Sequence, residues 1–572
     1  MRAPNLASLA AAVLVVLTLG CTATAQPASN AAREAPNVKP AGAKRVTVAV
    51  TADPYTLSSS VNAATTGIVP GLDQIEQLVH TGLAHVAANG IAEPVIAEAV
   101  PTVENGLWVL LPDGRMETTW TIRSGATWHD GTPFTTDDLR FTADVAGDPD
   151  LPLSRDVAQK AIEGVSARDA RTITVTWNRP YVQADLMFTN ALAMPLPKHL
   201  LQQAYADDKA ALFDNPYFST EFVGAGPFKI QSWERDSYLR LTAFDGYVLG
   251  RPKLDEIEVR FFPDPNALIA GILAGAVDVT LGRGLSVDQA VQIRDQWADG
   301  HMDVALWAPT GMYPQQLNPN PAILGDARFR RALVHAIDRE AMVATLVAGQ
   351  SPVAHSFLAP DEAEYAATER SVVRYDYDAR RAAQILDGLG LVRGQDGMYR
   401  NSDGSELALE IRSVISTDIN NKSMLAIADY WQRAGLRTNT MPIPVSRARE
   451  REFRATFPGF DLSGGVGGNY TWLERLYSSQ VPTSETRWVG RNKARYADPA
   501  LDRLIDRFFA TVQRTERMDV LNTIVHQLTD QVVTIGLFYT AQPTMVANKV
   551  KNVSGKTAVL AATTWNAHEW DL

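Results

Sequence analysis

The sequence contains 572 residues, of which 46% are hydrophobic and 20% are charged. This composition excludes a disordered or fibrous chain, because its apolar side chains suffice to offset the entropy lost on folding. The formal charge of −11 disfavours nucleic acid as a partner, since an acidic surface repels phosphate groups. The length predicts roughly two to four compact units.

The N-terminal segment predicts secretion. Arg2 precedes a charge-free apolar run over residues 6–19, which is typical of a signal peptide covering residues 1–20. The only cysteine, Cys21, follows Leu19-Gly20 and therefore resembles the lipidated cysteine of a bacterial lipobox, although Thr18 stands where that pattern has leucine. An ordinary signal peptide with an incidental cysteine is the alternative. Residues 21–43 then form a flexible tether rich in Ala, Pro, Thr, Ser and Asn.

Hydrophobic periodicity beyond the tether alternates between strands and helices. The predicted strands are Arg45–Thr51, Thr172–Asn178, Tyr238–Phe244, Glu256–Phe262 and Glu406–Ser413. The predicted helices are one starting near Thr135, then Ala327–Ala348 with Asp326 as N-cap, Asp378–Leu389, Lys422–Arg433, Pro499–Val512 and Glu516–Asp530. Strands and helices mixed in this way predict α/β or α+β lobes.

One stretch, residues 120–141, is more specific than the rest. It contains Trp128-His129-Asp130-Gly131 followed by Pro133-Phe134, which indicates an Asp-Gly turn ahead of a helix with acidic residues in its first turn. This stretch resembles the signature of bacterial extracellular solute-binding proteins of family 5, the dipeptide- and oligopeptide-binding group of ABC importers. A catalytic role for His129 is disfavoured because the residue lies within a turn motif.

Further family motifs follow in the same order along the chain, from residue 47 to residue 555. They are Ala193–Leu200, Gly224-Ala225-Gly226-Pro227, Gly250–Ile257, Leu273–Asp278, Arg328–Glu340 and Tyr375–Leu386. The segment Gly224–Pro227 predicts a hinge, because the resemblance places it where the chain crosses between lobes. Asp338 and Arg339 are expected to form an ion pair.

The resemblance implies the fold and its division into domains. We expect an α/β protein of the periplasmic-binding-protein-like class II, with two lobes, a hinge and an extra inserted domain. Lobe I would be discontinuous and comprise residues 44–82, 222–305 and 536–572. The extra domain would comprise residues 83–221, and lobe II residues 306–535.

A glycine-rich segment departs from the family pattern at the expected ligand site. Val466 stands where the family has tryptophan, and Gly468-Asn469 fall where peptide binders have the aspartate that pairs with the ligand's ammonium group. Either another carboxylate such as Glu474 replaces that aspartate, or the ligand is not a free-amine peptide. The predicted ligand-binding residues are Tyr313, Asn318, Gly467, Gly468, Asn469, Tyr470 and Trp472, with the loop Asp53–Asn62 facing them.

The resemblance predicts a substrate-binding lipoprotein that is not an enzyme. It would capture peptides in a cleft between its lobes and deliver them to the membrane permease of an ABC importer. The same fold binding an oligosaccharide or another non-peptide solute is one alternative, and a secreted hydrolase or sensory lipoprotein is another. Motifs for a serine hydrolase, a zinc protease or a phosphate loop are absent from the sequence.

Partners and location follow from the same reading. We expect a monomer without cofactor, bound metal or nucleic acid, whose partners are a peptide or other small solute and the permease subunits. The lipid on Cys21 would hold the protein on the outer face of the cell membrane, in either a periplasmic or a cell-surface setting.

Overall fold

The computed structural model describes residues 42–65, 69–153, 157–415, 418–465 and 470–572. The predicted signal peptide, Cys21 and the tether up to residue 41 lie outside these residues, as do Gly467, Gly468 and Asn469. Residues Ala43–Leu572 form one unit by their internal contacts. Within the described residues, no helix combines the length and the apolar character that crossing a membrane requires.

The strands of the described residues are β1 Arg45–Val50, β2 Ala84–Val86, β3 Ala92–Pro94, β4 Trp108–Leu110, β5 Met116–Thr121, β6 Ile162–Ala167, β7 Thr172–Trp177, β8 Phe228–Glu234, β9 Tyr238–Ala243, β10 Glu256–Phe261, β11 Val279–Thr280, β12 Gly300–Pro314, β13 Val392–Arg393, β14 Tyr399–Arg400, β15 Ala408–Val414, β16 Arg437–Ile443, β17 Phe460–Gly464 and β18 Ile535–Ala547. The five predicted strands correspond to β1, β7, β9, β10 and β15, and the other strands were not predicted.

The helices cover the faces of the sheets. They are α1 Ser59–Thr65, α2 Leu72–Val79, α3 Thr136–Gly147, α4 Val157–Ala161, α5 Lys198–Asp207, α6 Pro265–Leu273, α7 Val287–Arg294, α8 Ala327–His335, α9 Arg339–Leu346, α10 Tyr365–Thr368, α11 Ala379–Gly388, α12 Asp418–Arg433, α13 Arg451–Ala455, α14 Thr471–Glu474, α15 Pro499–Ala510 and α16 Arg514–Asp530.

One mixed sheet runs through most of the described chain in the order β16-β15-β17-β12-β18-β11-β1-β10-β9-β8. Its strands pair in parallel where β1 meets β10 and β11, and where β15 meets β16 and β17. The long antiparallel strands β12 and β18 join these two parallel regions. Since loops at the carboxyl ends of parallel strands form binding crevices, the centre of this sheet is where a ligand site is expected.

Strands β12 and β18 each contribute to two hydrophobic clusters. Met302 and Met545 pack at one end with the cluster around β1, β10 and β11. Met312 and Leu537 pack at the other end with a second cluster around β15, α8 and α12. The register of the pair shifts between Trp307 and Pro309 and again between Thr310 and Gly311. These irregularities place the bend of the sheet midway between the two clusters.

A separate four-stranded sheet, in the order β4-β5-β7-β6, carries a third hydrophobic cluster. Trp120, Trp128 and Trp177 are fully buried in this cluster. Helix α3 begins as the sequence predicts, since the Asp138 carboxylate accepts a hydrogen bond from the Thr135 amide at 2.9 Å. The Asp138 side chain also accepts from the Lys198 amide at 2.9 Å, so it joins two of the family motifs.

The predicted helix Ala327–Ala348 is two helices. Asp326 caps α8 as predicted, but Asp338 caps α9 by accepting a hydrogen bond from the Ala341 amide at 2.9 Å. The expected ion pair between Asp338 and Arg339 is therefore wrong. The buried Arg339 guanidinium instead donates to the carbonyl groups of Gly536 at 2.8 Å and Tyr375 at 2.6 Å.

The predicted hinge at Gly224–Pro227 is also wrong. This segment packs against the end of α2, and a Cβ atom on Gly224 would lie 1.9 Å from the Val79 carbonyl oxygen. A Cβ atom on Gly226 would lie 2.4 Å from the His80 amide nitrogen. These glycines allow a close backbone approach, and the chain crosses between the first two clusters in β12 and β18 instead.

Candidate ligand cleft

Two cavities are lined by residues of the central strands β12 and β18, and another lies beside the segment 361–364, whose Asp361 carboxylate accepts a hydrogen bond from the Leu306 amide of β12. The first, which we call the hinge cavity, has a volume of about 320 Å³. Trp307 and Ala305 of β12, Gln542 and Thr544 of β18, the segment 69–74 and Arg283 line it. The Arg283 guanidinium lies 4.3 Å from the centre of the Trp307 ring. This contact leaves one cation and one aromatic face at the bend of the sheet.

The second cavity has a volume of about 270 Å³ and is called here the acidic cavity. One wall comes from residues 90–92, 182–186 and 558–560, which belong to or adjoin the third hydrophobic cluster. The other wall comes from Glu362–Glu364, Tyr470 and the start of α16. The cavity therefore lies between segments that are far apart in sequence.

Three carboxyl groups and two guanidinium groups line the acidic cavity, namely those of Asp185, Glu362, Glu364, Arg514 and Arg517. Burial raises the pKa of Asp185 to about 6, opposed by the charge of Arg517. Burial also raises the pKa of Glu362 to about 7, and the nearby charges of Glu364 and Asp361 add to that rise. The Glu362 carboxyl accepts a hydrogen bond from the Ala359 amide at 2.8 Å. A cation in this cavity would favour the ionised form of Glu362.

Tyr470, a predicted ligand residue, belongs to the acidic cavity. Its hydroxyl group donates to the Glu364 carboxylate at 2.7 Å, and its ring meets the Phe508 ring edge-on at 4.8 Å. Tyr470 has a φ angle of 52°, in the left-handed region that few side chains adopt. The strained backbone points the ring into the fourth hydrophobic cluster, which α15 and α16 build, and leaves the hydroxyl group at the cavity wall.

The third cavity is small, about 30 Å³, and contains two further predicted residues. Tyr313 of β12 and Trp472 of α14 both line it. The Trp472 ring stacks on Phe357 at 5.4 Å with an angle of 5° between the planes, and the residue is only 4% exposed. Asn318 is exposed in the loop after β12 and is not among the described residues that line the three cavities.

The loop Asp53–Asn62, expected to face the ligand, is held by contacts with residues 233–235 and by hydrogen bonds within the loop. The Asp53 carboxylate pairs with Arg235 at 2.9 Å and accepts from the Trp233 indole at 3.1 Å. The amide of the fully buried Asn62 donates to the Thr56 and Ser58 carbonyl groups. Within this loop only Ser59 reaches the hinge cavity.

The largest of the described cavities, about 530 Å³, lies elsewhere, between α1, α2 and residues 142–222. The buried Glu76 lines it, and its carboxyl accepts a hydrogen bond from the Ser59 amide at 3.1 Å. Burial raises the pKa of Glu76 to about 7. Residues 58–61 of the predicted loop also line this cavity, but Tyr313, Tyr470 and Trp472 do not. We therefore assign the candidate ligand cleft to the hinge cavity, the acidic cavity and the small third cavity.

Sequence reasoning missed most of the groups in the acidic cavity. Asp185 interrupts the otherwise uncharged run Tyr181–Asn190, and a carboxyl group in such a run is a signal of a special environment. Glu362 and Glu364 belong to a short acidic segment that reads as ordinary surface. Their meeting with Asp185 depends on tertiary contacts that one-dimensional patterns do not contain.

Comparison with known proteins tests the resemblance. The profile of "Bacterial extracellular solute-binding proteins, family 5 Middle" matches residues 99–484, more than half of the chain. The chain belongs to this family. A peptide-binding protein assigned to an ABC transporter in Brucella ovis is 28% identical over 276 residues, which are 46% of this chain and 47% of that relative. The chain thus matches about half the length of such relatives.

Solved structures of family 5 proteins have the same fold. The oligopeptide-binding protein AppA from Bacillus subtilis, in complex with a nonapeptide, matches with a TM-score of 0.67 and 19% identity over 92% of this chain and 98% of AppA. NikZ from Campylobacter jejuni, in complex with Ni(L-His), matches with a TM-score of 0.70 and 20% identity over 92% of this chain and 99% of NikZ. The predicted α/β fold with two lobes, a hinge and an extra domain is confirmed.

The family 5 motif Trp128–Gly131 serves packing in this chain. The His129 ring bonds to the Gly226 carbonyl at 3.0 Å and to the Gly224 amide at 3.3 Å. Burial lowers the pKa of His129 to about 4, so the ring is neutral near neutral pH. The motif therefore fixes the glycine segment against α2 and lies outside the three cavities.

Proposed function

We propose that this protein captures peptides in the cleft along β12 and β18 and delivers them to the permease of an ABC importer. Family 5 membership supports solute binding, and the acidic cavity supports a ligand with a free amine. Glu362 is the group that carries the proposal, because its charged neighbours are the acids Glu364 and Asp361. The Glu362 carboxylate would be the counter-ion of the ligand's ammonium group, in place of the aspartate that the sequence lacks at position 469.

Three details of the cleft disfavour an oligosaccharide as the ligand. Protein sites that hold sugar rings offer a free aromatic face, whereas Trp472 stacks on Phe357 and is nearly buried, and the Arg283 guanidinium covers one face of Trp307 in the hinge cavity. The ring of Tyr470 is packed against Phe508. The hydrolase alternative is disfavoured because the family is one of solute-binding proteins.

The predicted lobes give the capture mechanism. With the sheet bent at the register shifts of β12 and β18, lobes I and II would close over the peptide by rotation about these strands. An exposed ion pair at 3.9 Å links Asp288 of α7 to Lys422 of α12, and these helices belong to the predicted lobes I and II. The lipid on Cys21 and the tether would keep the closed protein near its permease.

Glu362→Gln tests the proposal. The substitution keeps the hydrogen bond from the Ala359 amide but removes the charge. Loss of a charge-assisted hydrogen bond costs about 1.5–3 kcal/mol. We therefore expect a free-amine tripeptide to bind roughly 10- to 100-fold more weakly to the variant, as measured by titration calorimetry. The N-acetylated tripeptide should bind weakly and equally to both proteins.

Glu340→Gln is the matched control, because Glu340 is an exposed glutamate on α9 that lies away from the cavities. It should bind the free-amine tripeptide as the wild-type protein does. Equal binding of the free-amine and acetylated peptides by the wild-type protein would remove the role of Glu362. Failure of any peptide in a diverse pool to bind would overturn peptide capture itself.

A further inference from the structure

The third cavity, described above as the site of Tyr313 and Trp472, has three cations in its wall. Arg475, Arg491 and Lys493 all line it, and we call it the cationic pocket. Arg475 follows α14 directly, and the two other cations flank the buried Asn492. Asn492 fixes this segment by donating to the carbonyl groups of Leu476 and Tyr496. These bonds fix the backbone that carries Arg491 and Lys493.

Carboxylates near the cationic pocket do not balance these charges. The buried Asp461 pairs with Arg454 at 2.7 Å. The Lys493 ammonium group donates to the Ser463 hydroxyl at 2.8 Å, and the charge of Asp461 acts to raise the pKa of Lys493. Glu474 exerts an attraction on Arg475 but does not line the pocket. The cluster thus contains four cations, those of the pocket together with Arg454, against Asp461 and Glu474.

Two donors at the pocket have no acceptor among the residues that the structure describes. They are Nε of Arg475 and the indole Nε1 of Trp472, both buried. Trp472 is only 4% exposed, so water has little access to its indole. A buried donor without an acceptor is unfavourable and is rare in native structures. An oxygen atom in the pocket would satisfy both.

Mutual repulsion of the cations also favours an anion in the pocket. Burial and the charge of Arg491 lower the pKa of Arg475. Burial, with the charges of Arg454 and Arg475, lowers the pKa of Lys493 against the opposing effect of Asp461. An anion seated between these side chains would restore the charged form of each one.

We infer that the cationic pocket is a subsite for a carboxylate group of the ligand. A volume of about 30 Å³ is close to that of one water molecule, so a single small group fits and the rest of the ligand extends into the cleft. A carboxylate offers two oxygen atoms in one plane, which suits a guanidinium group such as that of Arg475. The assignment rests on the proposed function, because it requires that ligands bind along β12 and β18.

The acidic cavity and the cationic pocket would then together select a ligand with opposite charges at its ends. Tyr470 lines the acidic cavity and Trp472 lines the cationic pocket, and both belong to the same short segment at α14. An unmodified peptide has an ammonium group at one end and a carboxylate at the other. For a peptide, the inferred subsite would therefore receive the free C-terminus.

Arg491→Gln and Arg475→Gln test this subsite. Arg491 is exposed, so its replacement should leave folding intact, and thermal unfolding would check the more buried Arg475 variant. We expect each variant to bind a free-acid tripeptide about tenfold or more weakly than the wild-type protein. Wild-type protein should also prefer the free acid to its C-terminal amide, and the variants should lose that preference. Arg503→Gln, at an exposed arginine on α15, should behave as wild type.

A second measurement separates the subsite from peptide capture. Line broadening of [13C]acetate by the full protein should disappear in Arg475→Gln and Arg491→Gln. Arginine-dependent broadening without binding of any peptide would retain the carboxylate subsite and overturn peptide capture. Peptide binding that ignores the C-terminal charge, together with acetate broadening that survives both substitutions, would overturn the subsite alone.

Discussion

At the scale of single residues, burial sets the chemistry of this protein more than ion pairing does. Glu76, Asp185 and Glu362 have raised pKa values because they lie away from solvent. His80 and His129 have pKa values lowered to about 4 for the same reason. Burial disfavours the charged form of each group, and a partner of opposite charge or exposure to solvent would shift its pKa back toward the ordinary value. Glu362 lines the acidic cavity, whereas Glu76 lies in the large cavity beside α1 and α2.

The raised pKa of Glu76 predicts a pH dependence of stability. Its pKa rises from 4.5 to about 7 in the folded protein, so the folded state retains a proton between those values while the unfolded state loses it. The unfolding free energy therefore falls as the pH rises through this window. Relative to Glu76→Gln, the wild-type protein should lose on the order of 3 kcal/mol between about pH 4.5 and 7.

Urea unfolding of both proteins at several pH values would measure this difference, and Glu104→Gln provides an exposed control. The comparison cancels the opposite contribution of His80, whose lowered pKa makes stability rise with pH below about 6.5. A constant difference between wild type and Glu76→Gln across the window would mean that the Glu76 carboxyl group is ionised in the folded protein throughout.

At the scale of elements, short packing contacts decide what the sequence pattern leaves open. The segment Gly224–Pro227 lies against α2 because neither Gly224 nor Gly226 has a Cβ atom. Gly224→Ala would place a methyl group 1.9 Å from the Val79 carbonyl oxygen. We expect a loss of about 2–3 kcal/mol in unfolding free energy, because overpacking forces the backbone to shift.

Thermal or urea unfolding would measure the loss, with Gly388→Ala as the matched control. A Cβ atom on Gly388 meets nothing within 4 Å at the exposed end of α11, so this substitution should be neutral or slightly stabilising. If Gly224→Ala left stability unchanged, the segment would be free to move away from α2, and a flexible connector there would be credible again.

Strands and helices with a regular period were predictable to within a few residues. β1, β7, β9 and β10 end one residue before the predicted limits, and α11 and α15 are close to theirs. The break between α8 and α9 was not predictable from periodicity, because apolar spacing continues across Ile337 while the Asp338 cap interrupts the helix. β12 was missed because Pro309 and Gly311 interrupt the strand pattern at the register shifts.

The site was predictable only in part. Tyr313, Tyr470 and Trp472 line cavities of the cleft, and the family resemblance supplied all three. Asp185 and Glu362 come together across 177 positions of sequence, so no local pattern links them. The cationic pocket likewise depends on a loop return that brings residue 493 beside residue 475. The sequence shows which residue types are available for binding, but their arrangement in space depends on long-range contacts that the sequence does not show.

At the scale of the whole molecule, the two central strands connect the parallel halves of one sheet, and residues of these strands line the hinge cavity and the cationic pocket. A rotation at their register shifts would change the hinge cavity and the cationic pocket directly, and the acidic cavity through the hydrogen bond between the Leu306 amide and the Asp361 carboxylate. Capture of a peptide and closure of the cleft would therefore be one coupled event. Because the net charge is −11, the overall surface does not attract the carboxylate end of a peptide. Local charged groups in the cleft would have to attract it instead.

The predicted lipid on Cys21 would hold the protein at the membrane that contains the proposed permease. A thiol-linked diacylglycerol would anchor the chain, whereas the apolar run before it would be removed with the signal peptide. Cys21→Ser should move the protein from the membrane fraction to the soluble fraction after expression in a bacterial host, with unchanged binding of the free-amine tripeptide. Quantitative immunoblotting of the two fractions would measure the shift. Retention of the serine variant in the membrane fraction would show that another feature of the chain holds it there, and the tether would then have no anchoring role.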